Sequence, residues 1–143
     1  PFSMPAFTNT VFSLDNDYGM DAGDNCVAYC VHSVEGYSKI GTYVGGGSNL
    51  PFIFTGFRPA FVLIRILTTA NAWFIYDNKR EGYNPDNDTL SPNYDAVEDS
   101  TYKLDLLSNG FKIRSTQQAH NHSGQTFLFY AVAEAPFKFA NSR

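Results

Sequence analysis

Residues 125–139 read QTFLFYAVAEAPFKF, and this stretch decides the fold because the chain contains it in two related copies. The earlier copy, residues 25–40, reads NCVAYCVHSVEGYSKI. Upstream of the two copies lies another pair of similar segments, residues 11–14 and 110–113, each followed by a polar loop that contains glycine. The pattern predicts an internal duplication of a strand–loop–strand unit.

Strand-forming residues are abundant along the whole chain. Its 143 residues include 13 Phe, 9 Tyr and 1 Trp, together with runs of Val, Ile and Thr, and these residue types are typical of β-strands. No amphipathic helix pattern interrupts the roughly ten short strands that the sequence suggests. The sequence therefore predicts an all-β fold, for which an antiparallel β-sandwich, of jelly-roll or SPRY/lectin-like type, is the natural closed form.

Two hairpins are predicted. Residues 60–68, AFVLIRILT, form the most hydrophobic strand, and a tight turn separates them from the strand at 73–76. A Ser-Asn-Gly turn joins a second pair of strands, at 103–107 and 110–114, and such a turn favours a hairpin. A further strand is predicted at residues 51–54.

The first copy of the repeated unit contains another apolar run, residues 26–34. We predict a central strand there, covered on both faces. Cys26 and Cys30 would lie about 13 Å apart on such a strand, beyond the roughly 7 Å that a disulfide tolerates, so both are expected to be reduced core thiols. Residues 45–48, Gly-Gly-Gly-Ser, indicate a flexible joint.

Charge and hydropathy exclude two kinds of partner. The net charge is −4 and Lys and Arg do not cluster, whereas a nucleic-acid surface needs clustered cations. The sequence has no apolar run of about 18 residues, the length that a transmembrane helix requires, so no membrane insertion is expected. Only 17% of the residues are charged, which favours burial of part of the surface against neighbouring chains.

His120 and His122 flank a single residue in the polar loop 115–124. If this loop is extended, both imidazoles lie on one face, where they could start a metal site. Around a threefold axis, three copies would supply six such ligands. The alternative is an ordinary polar loop without a metal, and no cofactor is predicted.

Residues 77–99 form a long, acidic and irregular segment, and segments of that length are often functional. Trp73 and Tyr83 could stack on a sugar ring near it, with Asp86 and Asp88 as binding partners. A carbohydrate-binding module or a glycan hydrolase is therefore one hypothesis, and solvated turn residues are the alternative. Because no nucleophile–base motif is found, no enzymatic activity is predicted.

Four segments together resemble the C-terminal module of many tailed-phage virion proteins, a domain of unknown function. They are FRPAFVLI at 57–64, the Trp73-x-x-x-Asp77-x-x-Arg80 pattern, LDLLSNGFKIR at 104–114 and AEAPFKFANSR at 133–143. Residues 27–41 are similar to the segment that precedes this module in those proteins, which often carry a SPRY- or lectin-like sandwich upstream. The resemblance covers nearly the whole chain.

This resemblance implies a bacteriophage structural protein: a tail fibre, a receptor-binding tip, or a capsid fibre or decoration protein. The expected role is assembly or host adhesion, in a virion whose proteins are made in the bacterial cytoplasm. Expected partners are other virion proteins and copies of the chain itself, with a homotrimer favoured, and a host-surface glycan. Residues 1–43 would then be the end of an upstream repeat that packs on a main module at 44–143. The resemblance supplies no catalytic residues.

Overall fold

The computed structural model describes residues 10, 25, 27–86 and 88–136. Contacts within the chain divide it into two units, Pro1–Cys30 and Val31–Arg143. In the first unit, the described residues 25 and 27–30 lie outside helices and strands. Every element described below belongs to the second unit.

Within the described residues, the second unit is almost entirely β-structure. Its elements are β1 (Ser38–Val44), β2 (Phe52–Phe54), β3 (Pro59–Ile66), β4 (Phe74–Asp77), β5 (Leu104–Leu107), β6 (Gly110–Ile113), the helical turn α1 (Gln118–Asn121) and β7 (Thr126–Ala133). Four strands form one sheet in the order β1-β7-β3-β4, and three form another in the order β2-β6-β5. All neighbouring strands are antiparallel. The predicted all-β, sandwich-like fold is confirmed.

Strand β7 is the centre of the larger sheet, because it pairs with β1 on one side and β3 on the other. Its sequence TFLFYAVA alternates so that Phe127, Phe129, Ala131 and Ala133 point into the core and are buried. This is the stretch that the sequence singled out. A strand with two partners satisfies its backbone hydrogen bonds on both sides, which suits its central position.

The core lies between the two sheets and is largely aromatic. Phe129 of β7 meets Phe111 of β6 edge-on, with ring centroids 5.4 Å apart, and Tyr43 stacks on Phe127 at 4.9 Å. Val62 and Ile64 of β3 are fully buried beside them. Burying a side chain of this size contributes roughly 1.5–3 kcal/mol, so these inward rows hold the sheets together.

Both predicted hairpins are present. Strands β3 and β4 pair directly, as do β5 and β6, and their ends differ from the predicted bounds by one or two residues. The strand predicted at 51–54 is β2, at the edge of the smaller sheet. Strand β1 spans both sides of the predicted division between 1–43 and 44–143, and that division stays a prediction.

The central strand predicted at 26–34 is wrong for the residues that the structure describes. Residues 27–33 form no strand, and Tyr29, Cys30 and Val31 are exposed. The two neighbours of β7 are β1 and β3. Among the described residues of the first copy, only the last three, 38–40, belong to that sheet, as the start of β1. The exposed thiol of Cys30 is therefore not a core residue. Cys26 and the strand predicted at 11–14 lie outside the described residues.

The glycine run at 45–47 is a closely packed turn and not a flexible joint. The Asn121 side chain accepts a hydrogen bond from Gly46 N at 2.7 Å and donates to the carbonyls of Gly47 and Asn49 at 2.9 Å each. A Cβ atom on Gly45 would overlap the carbonyl oxygen of His122. Glycine is required here because two backbone segments come into contact.

Candidate functional site

One face of the larger sheet is apolar on the side away from the core. We call this side the outer face. Residues that are paired across neighbouring strands point to the same side of the sheet, so each set of paired residues forms a row across this face. Its central row crosses the whole sheet and consists of Ile40, Tyr130, Leu63, Ile75 and Leu90. Leu90 joins the row through an isolated antiparallel bridge to Ile75. No polar side chain interrupts this row.

The rows on either side extend the apolar surface. Val132 and Phe61 form part of one row, and Phe61 packs edge-on against Tyr130 with centroids 6.3 Å apart. Leu128 pairs with Arg65 in the other row. At the far end, Val44 and Leu67 are 60% and 53% exposed.

The extent of the outer face can be estimated from strand geometry. Five positions about 4.8 Å apart and a strand of seven residues rising about 3.4 Å each give a footprint on the order of 500 Å² for the whole face. The side rows of this face include polar residues, Ser38 and Asp77 in one and Thr42 and Arg65 in the other. In the central row Leu90 is 38% exposed and the other four residues are half-buried, so the exposed apolar surface is a stripe along that row.

Trp73 lies beside the outer face and does not line the cleft that contains Tyr83 and Asp86. The Arg65 guanidinium sits over its ring, 4.9 Å from the ring centroid, and its backbone N–H donates to Asn93 Oδ1 at 2.8 Å. A cation over the ring contributes roughly 0.5–1 kcal/mol at an exposed site. Arg65 therefore occupies one face of the indole that a sugar would need.

A small surface cleft contains two of the four residues predicted to bind a glycan. Its lining residues are Arg58, Asn78, Gly82, Tyr83, Asn84, Asp86 and Leu106. Tyr83 is 68% exposed and Asp86 only 2%. Trp73 and Asp88 are not among the lining residues. Within the cleft there is roughly room for one water molecule.

Asp86 is the unusual group of this cleft. Its backbone pairs with Leu104 through hydrogen bonds of 2.7 and 2.9 Å, which pull the side chain inward. Both carboxyl oxygens are buried without a hydrogen-bond partner among the described residues. The pKa of Asp86 is raised to about 6, chiefly by burial; the charges of Asp77 and Glu81 add to the rise, while the Asp88 amide and Arg80 oppose it.

Arg58, which lines the cleft, and Arg80, which acts on the pKa of Asp86, are both paired with other carboxylates. Arg58 Nε is 2.8 Å from a carboxylate oxygen of Glu134. Arg80 contacts Asp77 at 2.7 Å and Glu98 at 3.0 Å. These contacts explain why Asp86 keeps a raised pKa although two arginines are close, since a paired cation stabilises a second carboxylate less.

His120 is part of the aromatic core. The helical turn α1 directs its ring inward, where it is fully buried. It stacks on Tyr102 at 4.4 Å and contacts Phe74 at 4.2 Å. His120 Nε2 lies 2.8 Å from the Tyr76 hydroxyl, and Nδ1 has no partner among the described residues. Burial lowers the pKa of His120 to about 3, so the ring is neutral at physiological pH.

The metal hypothesis for His120 and His122 assumed an extended loop, and this condition is not met, because residues 118–121 form a helical turn. His120 is enclosed by aromatic rings, and His122 is half-buried just after the turn. Across the described ranges, no group of three His, Cys, Asp or Glu side chains is placed to hold a metal ion. Metal binding by these two residues stays a prediction, without support from this arrangement.

Sequence reasoning missed Asn84 and the burial of Asp86. Asn84 Nδ2 donates to the Leu106 carbonyl at 3.0 Å and its Oδ1 accepts from the Leu106 N–H at 2.9 Å. Both residues lie in an irregular acidic segment, where turn formers are the usual interpretation. Their positions depend on contacts with β5, some twenty positions along the chain, and no local pattern signals such contacts.

Comparisons with known proteins give one match. A family described as "Domain of unknown function (DUF7483)" matches residues 2–136. Neither the curated proteins nor the solved structures contain a match to this chain. No helix in the described part of the chain is long and apolar enough to cross a membrane. Since the match covers nearly the whole sequence, the chain belongs to the DUF7483 family of domains of unknown function.

Proposed function

We propose that this protein is a structural component of a bacteriophage virion that works in assembly or host adhesion. The outer face of the larger sheet carries this proposal. The resemblance of residues 57–64 and 104–114 to virion modules supports the phage assignment. Tail fibre, receptor-binding tip, and capsid fibre or decoration protein are the forms that this role would take.

The chemistry of the outer face fits assembly. Water is ordered around the exposed parts of the side chains of Leu63, Tyr130 and Ile75. Covering these side chains frees that water, which favours association. Covering such side chains favours association against the loss of translational and rotational freedom, and symmetric contacts repeated around an axis multiply that gain. A homotrimer with three outer faces around its axis is the arrangement we propose.

Light scattering coupled to size exclusion tests the assembly role. We expect the wild-type protein to form an oligomer whose mass does not fall on tenfold dilution. Leu63→Lys and Ile75→Glu, both in the central row, should give folded monomers with an unchanged circular dichroism spectrum. Val97→Lys, on an exposed loop residue, is the matched control and should remain oligomeric. A wild-type monomer at every concentration would refute the assembly role.

Repeating the measurement with a chelator tests the metal prediction for His120 and His122.

A carbohydrate-binding module or glycan hydrolase is the second candidate, and the exposed ring of Tyr83 at the Asp86 cleft favours it. Binding fits better than hydrolysis, because a catalytic carboxylate must reach the glycosidic oxygen and the oxygens of Asp86 are buried. Tyr83→Ala should abolish retention on a panel of immobilised bacterial glycans if this candidate is correct. Tyr94→Ala, another exposed tyrosine, is the control. Retention unchanged by Tyr83→Ala would reject the cleft as the binding site.

A further inference from the structure

The segment between β4 and β5 covers the edge of the smaller sheet. Strand β5 is the edge strand of that sheet, and Asp86 and Asn84 occupy its open side. The Asp86 backbone exchanges two hydrogen bonds with Leu104, and the Asn84 side chain exchanges two with Leu106. This segment thus satisfies N–H and C=O groups that an open edge strand would present to other chains.

The attachment has one unfavourable component, the side chain of Asp86. Its two oxygens are buried and have no hydrogen-bond partner among the described residues. An ionised carboxylate in that position is costly, whereas a neutral carboxyl is tolerated much better. The adjoining cleft offers roughly the volume of one water molecule, which is too little to hydrate the charge fully.

The groups around Asp86 do not supply the missing partner. The titratable and charged side chains that line its cleft or act on it are Arg58, Tyr76, Asp77, Arg80, Glu81, Tyr83 and Asp88. The two arginines pair with other carboxylates. On β5 itself, Asp105 faces Arg114 at 3.6 Å. The Asp88 amide and Arg80 favour the ionised carboxylate without offsetting its burial. Of the remaining neighbours, the acids disfavour a second negative charge and the tyrosines are neutral at these pH values.

We propose that Asp86 is a proton-sensitive clasp, which holds the segment between β4 and β5 on the β5 edge in mild acid and loosens when the carboxyl loses its proton. Loosening exposes the backbone groups of Leu104 and Leu106 to solvent, where their amides exchange. This inference rests on the Asp86 cleft and the β5 edge. It does not depend on the outer face or on the proposed function.

Amide hydrogen exchange resolved by NMR tests the clasp. The Leu104 and Leu106 amides report opening of the segment, because they donate to Asp86 O and to Asn84 Oδ1. The protection factor of Leu104, corrected for the intrinsic exchange rate, is compared between wild type and Asp86→Asn at pH 5.0 and pH 7.5. Since both proteins retain His120, its titration cancels in that ratio.

The measured ratio is the protection factor of Leu104 in Asp86→Asn divided by that in wild type. We expect this ratio to rise by up to about tenfold from pH 5.0 to pH 7.5. A carboxyl with a pKa of about 6 sets this upper bound, and solvent screening lowers it. Asp88→Asn makes the same charge change on a half-exposed residue and should leave the ratio flat. Asp86→Ser is a second neutral variant, in case the buried amide of Asn prevents folding. A ratio that does not change with pH in either Asp86 variant would overturn the proposal. So would an Asp88→Asn variant that reproduces the rise.

Discussion

Acid should destabilise this protein through His120, and replacing that residue should remove the effect. The ring is fully buried and its pKa is lowered to about 3, chiefly by burial. In the unfolded chain the pKa returns to about 6.5. The unfolded state therefore binds a proton that the folded state rejects. Stability is retained above pH 6.5 and lost as the pH falls from 6.5 towards 3.

The size of the effect follows from those two pKa values. Between pH 7 and pH 5, the titration of His120 should lower the free energy of unfolding by about 2 kcal/mol. Asp86 acts in the opposite direction, because its pKa is raised in the folded state to about 6. Its contribution is largest below pH 4 and is lost as the pH rises through 6, which returns roughly 1 kcal/mol at pH 5 after allowance for screening. The wild-type protein should thus lose only about 1 kcal/mol over this range.

Urea unfolding at pH 7 and pH 5, followed by the fluorescence of the single tryptophan Trp73, measures this difference. His120→Gln keeps a polar group near the Tyr76 hydroxyl and cannot titrate. It will be less stable than wild type at both pH values, because it loses ring contacts with Tyr102 and Phe74. Its deficit should nevertheless shrink by about 2 kcal/mol at pH 5. A deficit that is equal at the two pH values would refute the reasoning, as would an NMR titration of His120 with a midpoint near 6.5.

Two further predictions concern the glycine turn. Gly45→Ala should lower the free energy of unfolding by about 2–4 kcal/mol, because the added methyl overlaps a backbone carbonyl. The control Gly82→Ala has open space around its Cβ and should cost about 1 kcal/mol, from its positive φ alone. Urea unfolding compares the two variants, and equal losses would contradict the packing explanation. Asn121→Ala removes three hydrogen bonds to the turn and should lower the free energy of unfolding by about 3 kcal/mol. The control Ser123→Ala, on an exposed residue nearby, should be within about 0.5 kcal/mol of wild type. Thermal denaturation measures both variants, and similar melting temperatures would show that the turn does not depend on Asn121.

The strands could be predicted from sequence more readily than their partners. Residues 126–133 and 59–66 are apolar and rich in residues that favour strands, and both form strands as expected. Residues 27–33 have a similar local composition and form none. The difference is long-range, since β7 has β1 and β3 as neighbours and nothing in the described structure pairs with the earlier run. Local pattern indicates the capacity to form a strand, and tertiary contacts decide whether it forms.

The candidate sites show the same limit at single residues. Tyr83, which the sequence suggests as a sugar-stacking residue, is exposed. Asp86, with a carboxylate in the same acidic segment, is buried because its backbone pairs with Leu104. His120 lies in a polar loop by sequence, yet a helical turn of four residues places it in the core. Such a turn is too short to show helical periodicity, so its direction could not be predicted.

The two sheets differ in what their outward residues imply. On the smaller sheet, the row that points away from the core pairs Phe52 with Lys112 and Lys112 with Asp105, so charged groups face solvent as in an ordinary antiparallel sheet. On β3 of the larger sheet, the outward positions include Phe61 and Leu63, and the polar one, Arg65, lies over an indole ring. The smaller sheet covers the inner face of β3. It also exposes Phe52 and Phe54, at 45% and 57%, so outward apolar residues occur on both sheets and do not by themselves identify an interface. The larger sheet differs in its unbroken central row, and the proposed assembly predicts that Leu63→Lys, within that row, gives a monomer.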